Sequence, residues 1–303
     1  ANILEDLFRR DYTINALALS LNPDSWGKLY DFFNAKEDLA RGKLKALHRF
    51  SFLDDPTRII RGLRLALSLD FDFEFETEKL MKEALEMGDF GELSSARVYK
   101  EIKILFSDSM DESIIKYIKK FPIFKLIDSN FKFKDKYRIQ FNEIKKYAKI
   151  LSNKGYNIDI ELLLLAVFFN DIALKKYEEL NLTAEEREIF DIDISNVTKK
   201  LKTNLSRVEL IKIISNMRKE KLVYILAVSD SERLKRNIKL YFDELMDIKL
   251  SIDGYDLIEM GVEPGPEIKE ILQRVWQEKL QKNIKSKKEE KEFARKLIEK
   301  RLE

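Results

Sequence analysis

Residues that interrupt helices are scarce in this chain. Its 303 residues include only nine glycines and five prolines, and they are rich in lysine, glutamate and leucine. Glycine and proline are the least favourable residues in a helix, and the other three are among the most favourable, so this composition predicts a mostly α-helical protein. With 45% apolar residues the chain can bury hydrophobic cores, and its length favours two or more compact units.

Composition also excludes several kinds of site. The chain has no cysteine, which rules out a disulfide framework, a thiolate nucleophile and a cysteine-ligated zinc site. Its one histidine, His48, leaves little from which to build a Ser-His-Asp triad, and we expect a packed or exposed linker residue there. The 56 basic and 54 acidic residues give a net charge of +2, unlike a purely basic nucleic-acid arm. No apolar run approaches the ~18 residues of a membrane span, so we expect a cytoplasmic protein.

The first 50 residues are the only part with a mixed pattern. Polar and apolar residues alternate from Asp11 to Leu17, which predicts a half-buried strand with Asp11, Thr13 and Asn15 on one face. A second candidate strand covers Lys43–Leu47. Because two strands do not form a stable sheet alone, we expect this region to complete a sheet whose other strands lie elsewhere.

After residue 50 the helical period dominates. Asp55 directly before Pro56 predicts a helix N-cap followed by proline at the first helical position. Thr183 and Ser206 are each followed three residues later by glutamate, the spacing of a capping box. Another helix start is expected at Thr77. The run from Leu162 to Phe169 is apolar enough to predict a buried core helix.

Two charged motifs lie close together near the start of the chain. The first is DLFRRDYTINALA at residues 6–18, and the second is SFLDDPTRIIRGLR at residues 51–64. Residues three apart on a helix share a face, so Arg58, Arg61 and Arg64 form a row that starts beside Asp55. The row drifts by about 60° around the helix at each three-residue step.

Both motifs resemble those of the class II tRNA nucleotidyltransferases, which are CCA-adding, CC-adding or A-adding enzymes, and of their bacterial poly(A) polymerase relatives. The first resembles the family's Arg-Arg-Asp segment and the second its nucleotide-selecting motif. Two later stretches are also similar to family segments: SARVYKEI at 95–102 and DLIEMGVEPGPEI at 256–268. The resemblance implies a mostly α protein with a small α+β N-terminal part. Residues 1–49 would be the C-terminal part of a nucleotidyltransferase head, followed by a helical neck (50–110), body (111–230) and tail (231–303).

The implied activity is template-independent addition of C and/or A, from CTP and ATP, to the 3′ end of tRNA. Cytosine and adenine both present an amine donor beside a ring-nitrogen acceptor, whereas guanine and uracil present the reverse. A carboxylate beside a guanidinium complements the first pattern and repels the second. By resemblance, Asp55 accepts from the base amine and Arg58 donates to the ring nitrogen. Asp54 stands where the family usually has the longer glutamate.

Asp11 resembles the family's ribose-reading aspartate, which accepts from the 2′-OH. Arg61 and Arg64 could reach the triphosphate or the tRNA end. The complete set of nucleotide-binding residues implied by the resemblance is Arg9, Arg10, Asp11, Asn15, Asp54, Asp55, Arg58, Arg61 and Arg64. In the tail, RNA contacts and a solvated helix face are equally open for Lys282, Lys285, Lys287 and Lys288.

Nucleotidyl transfer also needs Mg²⁺ held by a pair of carboxylates. In the family these form an Asp-x-Asp that would precede Ala1, so we expect no catalytic residue and no metal ligand within residues 1–303. The ligands would lie on preceding residues or on a companion chain. Asp70 and Asp72 have the same spacing, but their alternation with Phe71, Phe73 and Phe75 predicts inward phenylalanines and solvated acids, not a metal site.

Other interpretations stay open. Within the enzyme class, a poly(A) polymerase shares these motifs, and a non-catalytic RNA-binding subunit would suit a chain without metal carboxylates. Asp55 alone could be only a helix cap. Arg97 and Glu101, four residues apart, are expected to form a salt bridge with each other. Trp26 and Trp276 are expected as core anchors.

Overall fold

The computed structural model describes residues 2–88, 93–108, 112–190 and 194–302. The chain forms two compact units. Unit 1 comprises Ala1–Lys146 and Asp159–Ile192, and unit 2 comprises Tyr147–Ile158 and Asp193–Glu303. The finer division into head, neck, body and tail stays a prediction, and its boundary at 110/111 touches residues outside the described ranges.

The N-terminal part of unit 1 is mixed. Its elements are α1 (Ile3–Phe8), β1 (Leu17–Leu19), β2 (Leu29–Asp31), α2 (Ala35–Ala40) and β3 (Lys43–Leu44). β1 and β2 form an antiparallel hairpin in which Leu17 faces Asp31, while β3 pairs in parallel with β4 (Asp72–Phe73). The second expected strand is therefore present but shorter than predicted.

The expected strand from Asp11 to Leu17 is wrong over most of its length. Thr13–Asn15 is a 3₁₀ turn, and Tyr12 makes only an isolated bridge to Ala46. The side-chain amide of Asn15 donates to Asp11 Oδ1 at 2.9 Å, and the backbone N–H of Tyr12 donates to the same oxygen at 3.0 Å. Such short-range bonds from an aspartate compete with strand pairing and favour a turn.

Eight further helices lie in the described part of unit 1, and the sixth of these, α8, continues into unit 2. They are α3 (Ser51–Asp54), α4 (Thr57–Leu69), α5 (Phe75–Met87), α6 (Ser95–Asp108), α7 (Glu112–Lys120), α8 (Lys136–Asn153), α9 (Ile160–Phe169) and α10 (Ala184–Phe190), with 3₁₀ segments including Leu174–Leu180. All residues of α9 from Leu162 to Phe169 are buried, which confirms the predicted core helix. Phe168 stacks on Phe124 at 4.7 Å between ring centroids in this core.

Helix starts follow the predicted caps with small shifts. The backbone N–H of Thr183 donates to Glu186 Oε2 at 2.7 Å, and the N–H of Glu186 donates to Thr183 Oγ1 at 3.2 Å, which confirms that capping box. α5 begins at Phe75 instead of Thr77, because Glu74 is the residue whose side chain accepts from the Thr77 N–H. The chain therefore leaves the extended conformation early, so Phe73 is buried but Phe75 is 77% exposed, against the expected alternation.

Unit 2 is helical in its described part. Its helices are α11 (Ile194–Leu201), α12 (Arg207–Ile214), α13 (Lys219–Val228), α14 (Glu232–Leu240), α15 (Gly254–Ile258), α16 (Pro266–Leu280) and α17 (Lys287–Leu302), with a π-helical segment at Tyr241–Leu245. The Ser206–Glu209 capping box is present at the start of α12, as predicted. The last three helices share a core that includes Leu257, Ile271 and Val275.

The two tryptophans differ from each other. Trp276 is partly buried and its indole N–H donates to the carbonyl of Ile248 at 3.1 Å. Trp26 is 72% exposed, so the expectation of a core anchor there is wrong. It follows the short 3₁₀ turn Pro23–Ser25 that links β1 and β2, and a hairpin connection offers it no core in the described residues. No helix in the described part of the chain is long and apolar enough to cross a membrane.

Candidate nucleotide-binding site

Asp11 lies at the point where the first motif meets α4. Its side chain is only 3% exposed, and its Oδ2 lies 2.8 Å from Nη2 of Arg61, which is half-exposed. Asn15 donates to the other carboxylate oxygen. The structure thus brings together three of the predicted nucleotide-binding residues, and the ion pair joins the two motifs.

Tyr12 fixes the packing of this segment against α4. It is fully buried, and its hydroxyl donates to the backbone carbonyl of Arg58 at 3.0 Å. The ring occupies the space beside Gly62, where an added Cβ would lie 1.9 Å from the Tyr12 hydroxyl oxygen. Burial, and secondly the neighbouring Asp11 carboxylate, raise the pKa of Tyr12 well above its ordinary value, so the hydroxyl stays a donor. Glycine at position 62 is therefore required by a close approach.

Arg58 is held by two neutral acceptors. Its Nη1 donates to Ser51 Oγ and its Nη2 to the carbonyl oxygen of Arg9, both at 2.8 Å. A guanidinium has five N–H donors, so these two bonds fix its plane and leave further donors for a ligand. The sequence predicts Arg58 and Asp55 as a reading pair, and the backbone N–H of Arg58 donates to the carbonyl oxygen of Asp55 at 3.1 Å.

Asp55 has partners for both carboxylate oxygens. Its Oδ1 accepts from the backbone N–H of Thr57 at 3.1 Å and from the Thr57 hydroxyl at 2.6 Å, but Pro56 occupies the N-cap position and α4 has no side-chain cap, so the predicted Asp55 N-cap is wrong. The helix itself begins at Thr57, one residue later than expected. Its Oδ2 accepts from Nη2 of Arg97 at 2.6 Å, across 42 residues of sequence.

This contact overturns the expected Arg97–Glu101 salt bridge. Glu101 instead lies 3.7 Å from Nη1 of Arg64, and Asp108 lies 3.6 Å from Nε of the same arginine. Both α6 residues reach α4 because the two helices pack against each other. Both residues belong to the SARVYKEI stretch at 95–102, which is similar to a family segment, but spacing alone favoured the local pair.

Asp54, Arg9 and Arg10 are the remaining predicted nucleotide-binding residues of unit 1. Nε2 of His48 is 3.9 Å from Asp54 Oδ2, and the imidazole stacks on Phe8 with 4.9 Å between ring centroids. Arg9 and Arg10 are exposed and pair with Asp6 at 3.1 and 3.3 Å. Their guanidinium groups are thus available to solvent near the α1 end.

In unit 2, the four predicted RNA-contact lysines are all exposed. Lys282 Nζ lies 2.8 Å from Glu244 Oε2, and Lys287 Nζ lies 3.4 Å from Asp256 Oδ2. Lys288 Nζ is 3.9 Å from Glu292 Oε1, and the backbone N–H of Lys285 donates to Glu289. Hydrogen bonds from Lys291 and the Asp253 backbone, with a further contribution from Lys287, lower the pKa of Asp256 to about 2.

Binding of Mg²⁺ would need carboxylates other than those that read the base. In the residues that the structure describes, no group of three or more His, Cys, Asp or Glu side chains could hold a metal ion. Asp11 and Asp55 are each engaged by arginine, amide or hydroxyl donors. This donor set fits ion pairing better than metal coordination.

Several known proteins are similar to this chain. Residues 1–45 match the family described as Poly A polymerase head domain. The chain is 29% identical over 291 residues to an A-adding tRNA nucleotidyltransferase of Aquifex aeolicus, and 27% identical over 287 residues to that of Geobacter sulfurreducens. The matches cover 93% and 89% of this chain but 35% and 32% of those proteins, so the chain spans about a third of their length.

Two solved structures are also similar to this chain in their fold. A Thermotoga maritima CCA-adding enzyme complexed with tRNA superposes with a TM-score of 0.73 at 26% identity, covering 96% of this chain and 73% of that one. A CCA-adding enzyme complexed with CTP gives a TM-score of 0.71 at 27% identity, covering 98% and 72%. The predicted fold class, a mostly helical protein with a small mixed N-terminal part, is confirmed.

Proposed function

We propose that this chain, which belongs to the family of A-adding and CCA-adding tRNA nucleotidyltransferases, supplies nucleotide selection and RNA binding for addition of C and/or A to tRNA 3′ ends. Its substrates would be tRNA with CTP, ATP or both. The observation that carries the proposal is the direct connection of the two motifs, through the Asp11–Arg61 ion pair and the bond from Arg58 to the Arg9 carbonyl.

Base selection would take place at the start of α4. The partly buried carboxylate of Asp55 offers an acceptor for the exocyclic amine of cytosine or adenine, and the fixed guanidinium of Arg58 offers a donor for the ring nitrogen. Uracil and guanine would present a carbonyl to the carboxylate and an N–H to the guanidinium, which costs affinity on both sides.

Sugar selection would fall to Asp11. Its buried carboxylate, held by Arg61 and Asn15, is an acceptor for a ribose 2′-OH. Arg9, Arg10 and Arg64 would contribute positive charge toward the triphosphate or the RNA end. Asp54, which precedes Asp55 in the sequence, would also contribute to nucleotide binding.

The transfer step in this family is metal-dependent, and we propose Mg²⁺ with ligands outside this sequence. It would neutralise the triphosphate and activate the primer hydroxyl. A separate companion chain has no support from the comparisons, in which the match covers 73% and 72% of the two solved chains.

Equilibrium binding of the four ribonucleoside triphosphates to this chain tests the proposal. We expect CTP or ATP to bind more tightly than UTP and GTP, and Asp55→Ala to remove that preference. Asp11→Ala should reduce the preference for CTP over dCTP and leave the base preference in place. An unsubstituted chain that binds all four alike, or an Asp55→Ala variant that keeps the wild-type preference, would contradict the base-reading role.

Poly(A) synthesis is the second candidate, because the matched family is described as a poly(A) polymerase head domain. The two activities differ in the primer that they extend. In a form that also carries the metal-binding carboxylates, we expect incorporation onto tRNA ending in CC to stop after one adenosine, whereas a poly(A) polymerase would extend an oligo(A) primer many times. Incorporation of CTP onto tRNA lacking the CCA end would distinguish complete CCA addition from A addition alone.

A further inference from the structure

The Asp55 carboxylate is almost fully occupied before any base arrives. An ionised carboxylate has about four lone-pair positions on its two oxygens. Thr57 takes two of them on Oδ1, through its backbone N–H and its hydroxyl. Arg97 takes a third, on Oδ2, with Nη2 at 2.6 Å. One direction therefore remains open, and it lies on Oδ2 beside the guanidinium of Arg97.

Arg97 can hold this position because its backbone is fixed. It lies in the first turn of α6, where its N–H donates to the carbonyl of Ser94 at 3.0 Å. Its side chain is 55% exposed, whereas that of Asp55 is 18% exposed, so the ion pair joins a solvent-accessible arginine to a largely buried carboxylate. Farther along the same helix, Glu101 reaches Arg64. α6 thus contacts the second motif through Arg97, Glu101 and Asp108.

We propose that Arg97 is a positioning residue for nucleotide specificity, which acts through Asp55 by leaving only one oxygen direction open to an incoming base. This role rests on the proposed function, in which Asp55 accepts from the base amine. A single open acceptor position fits one amine hydrogen. A second open position would admit a water molecule or a rotated base, and either would weaken the distinction between an amine and a carbonyl.

The geometry also separates Arg97 from the base-reading residues. Arg58 is held by Ser51 and by the Arg9 carbonyl, and no contact of Arg97 is involved in either bond. Loss of Arg97 should therefore leave the guanidinium of Arg58 in place, so that nucleotide binding persists while its selectivity falls. A residue that only stabilised the fold would change affinity for all four nucleotides alike.

Calorimetric titration of this chain with CTP, ATP, UTP and GTP tests the inference. For each variant, the base preference is the ratio of the Kd values for two nucleotides. We expect Arg97→Gln to reduce the preference for CTP over UTP by roughly tenfold, as for loss of one charge-assisted hydrogen bond. Arg97→Lys keeps a cation and should restore part of the preference. Lys100→Gln, an exposed position on the same helix, is the matched control and should behave as the unsubstituted chain.

A double-substitution cycle adds a readout that does not depend on fold stability. If Arg97 acts through Asp55, then Asp55→Asn with Arg97→Gln should show the same base preference as Asp55→Asn alone. An Arg97→Gln variant with the wild-type preference, or an additive loss in the double variant, would overturn the positioning role while the Asp55 role survived. If the unsubstituted chain shows no base preference, both the proposed function and the positioning role of Arg97 are overturned.

Discussion

The arginines of α4 and the lysines near residues 282–288 are both rows of positive charge, but their partners differ. Arg61 and Arg64 pair with acids 37 to 50 residues away, including Asp11, which is 3% exposed. Lys288 pairs with Glu292 on its own helix, and its side chain is 87% exposed. The first row is therefore part of the packed structure, whereas much of the second lies in solvent, where an ion pair contributes little to stability.

Among the described residues after 231, a charged side chain, that of Glu290, is buried, and breaking its contacts should have the largest effect on stability. Glu290 is fully buried and accepts from the backbone N–H groups of Ser251 and Ile252, at 2.7 and 3.0 Å, and from Lys279. Glu290→Gln should cost about 3 kcal/mol, because it leaves the poorly exposed ammonium of Lys279 without its counter-ion. Chemical denaturation measures the loss.

Glu292→Gln is the matched control for this experiment, since Glu292 lies on the same helix and its side chain is 55% exposed. Its free energy of unfolding should stay within about 0.5 kcal/mol of the unsubstituted chain. Equal losses in the two variants would remove the distinction between the buried acid and its exposed neighbour.

Acid should weaken the same contact. Burial alone would raise the pKa of Glu290, but hydrogen bonds from Lys279, Ser251 and Ile252 outweigh it and lower the pKa below the ordinary 4.5. A carboxyl whose pKa is lower in the folded state stabilises the fold above its ordinary pKa, and that contribution is lost as pH falls through the folded value. The difference between the unsubstituted chain and Glu290→Gln should therefore shrink below about pH 4.5. A constant difference down to about pH 3 would contradict this.

Gly62→Ala tests the packing beneath the arginine row. An added Cβ would lie 1.9 Å from the Tyr12 hydroxyl oxygen, so the ring must move and lose its bond to the Arg58 carbonyl. We expect a loss of about 2 kcal/mol in unfolding free energy, although alanine is otherwise the better helix residue. Gly265→Ala, where the nearest atom is 4.0 Å from the added Cβ, should be nearly neutral in the same thermal and chemical denaturation measurements.

Arg61→Met removes the cation beside Asp11. The buried carboxylate would then lack its counter-charge, but Arg61 is itself 41% exposed, so screening moderates the cost to about 1–2 kcal/mol. Arg10→Met changes an exposed pair and should alter unfolding free energy by less than about 0.5 kcal/mol. If both substitutions change the free energy of unfolding by a similarly small amount, the arginine row of α4 stabilises the fold no more than the exposed ion pairs do.

The smallest stability effect is expected at Lys288. Lys288→Gln should leave the unfolding midpoint unchanged, since its pair with Glu292 is long and exposed. If the tail contacts RNA phosphates, the same substitution should lower tRNA affinity and reduce the slope of log K against log salt by about 0.7–0.9. An unchanged salt slope would assign Lys288 to the solvated helix face.

Local features of the structure were predictable because their partners are close in sequence. The Thr183 and Ser206 capping boxes and the buried helix Leu162–Phe169 follow from spacing and apolar periodicity. The turn at Thr13–Asn15 was not predicted, since alternation of polar and apolar residues cannot show that Asp11 and Asn15 bond to each other. The exposure of Trp26 likewise depends on what the hairpin packs against.

The sequence by itself determined which chemical groups the protein has and where several of its helices begin, to within one or two residues. It supplied arginines and acids without cysteine, a mostly helical chain, and motifs that placed Asp11, Asp55 and Arg58 together in one family pattern. Only the tertiary structure decided which acid meets which arginine. Spacing favoured Arg97 with Glu101, yet packing of α4 on α6 directs Arg97 to Asp55 and Glu101 to Arg64. A pair four residues apart on an exposed helix gains only about 0.3–0.5 kcal/mol, so contacts made by packed helices easily replace it.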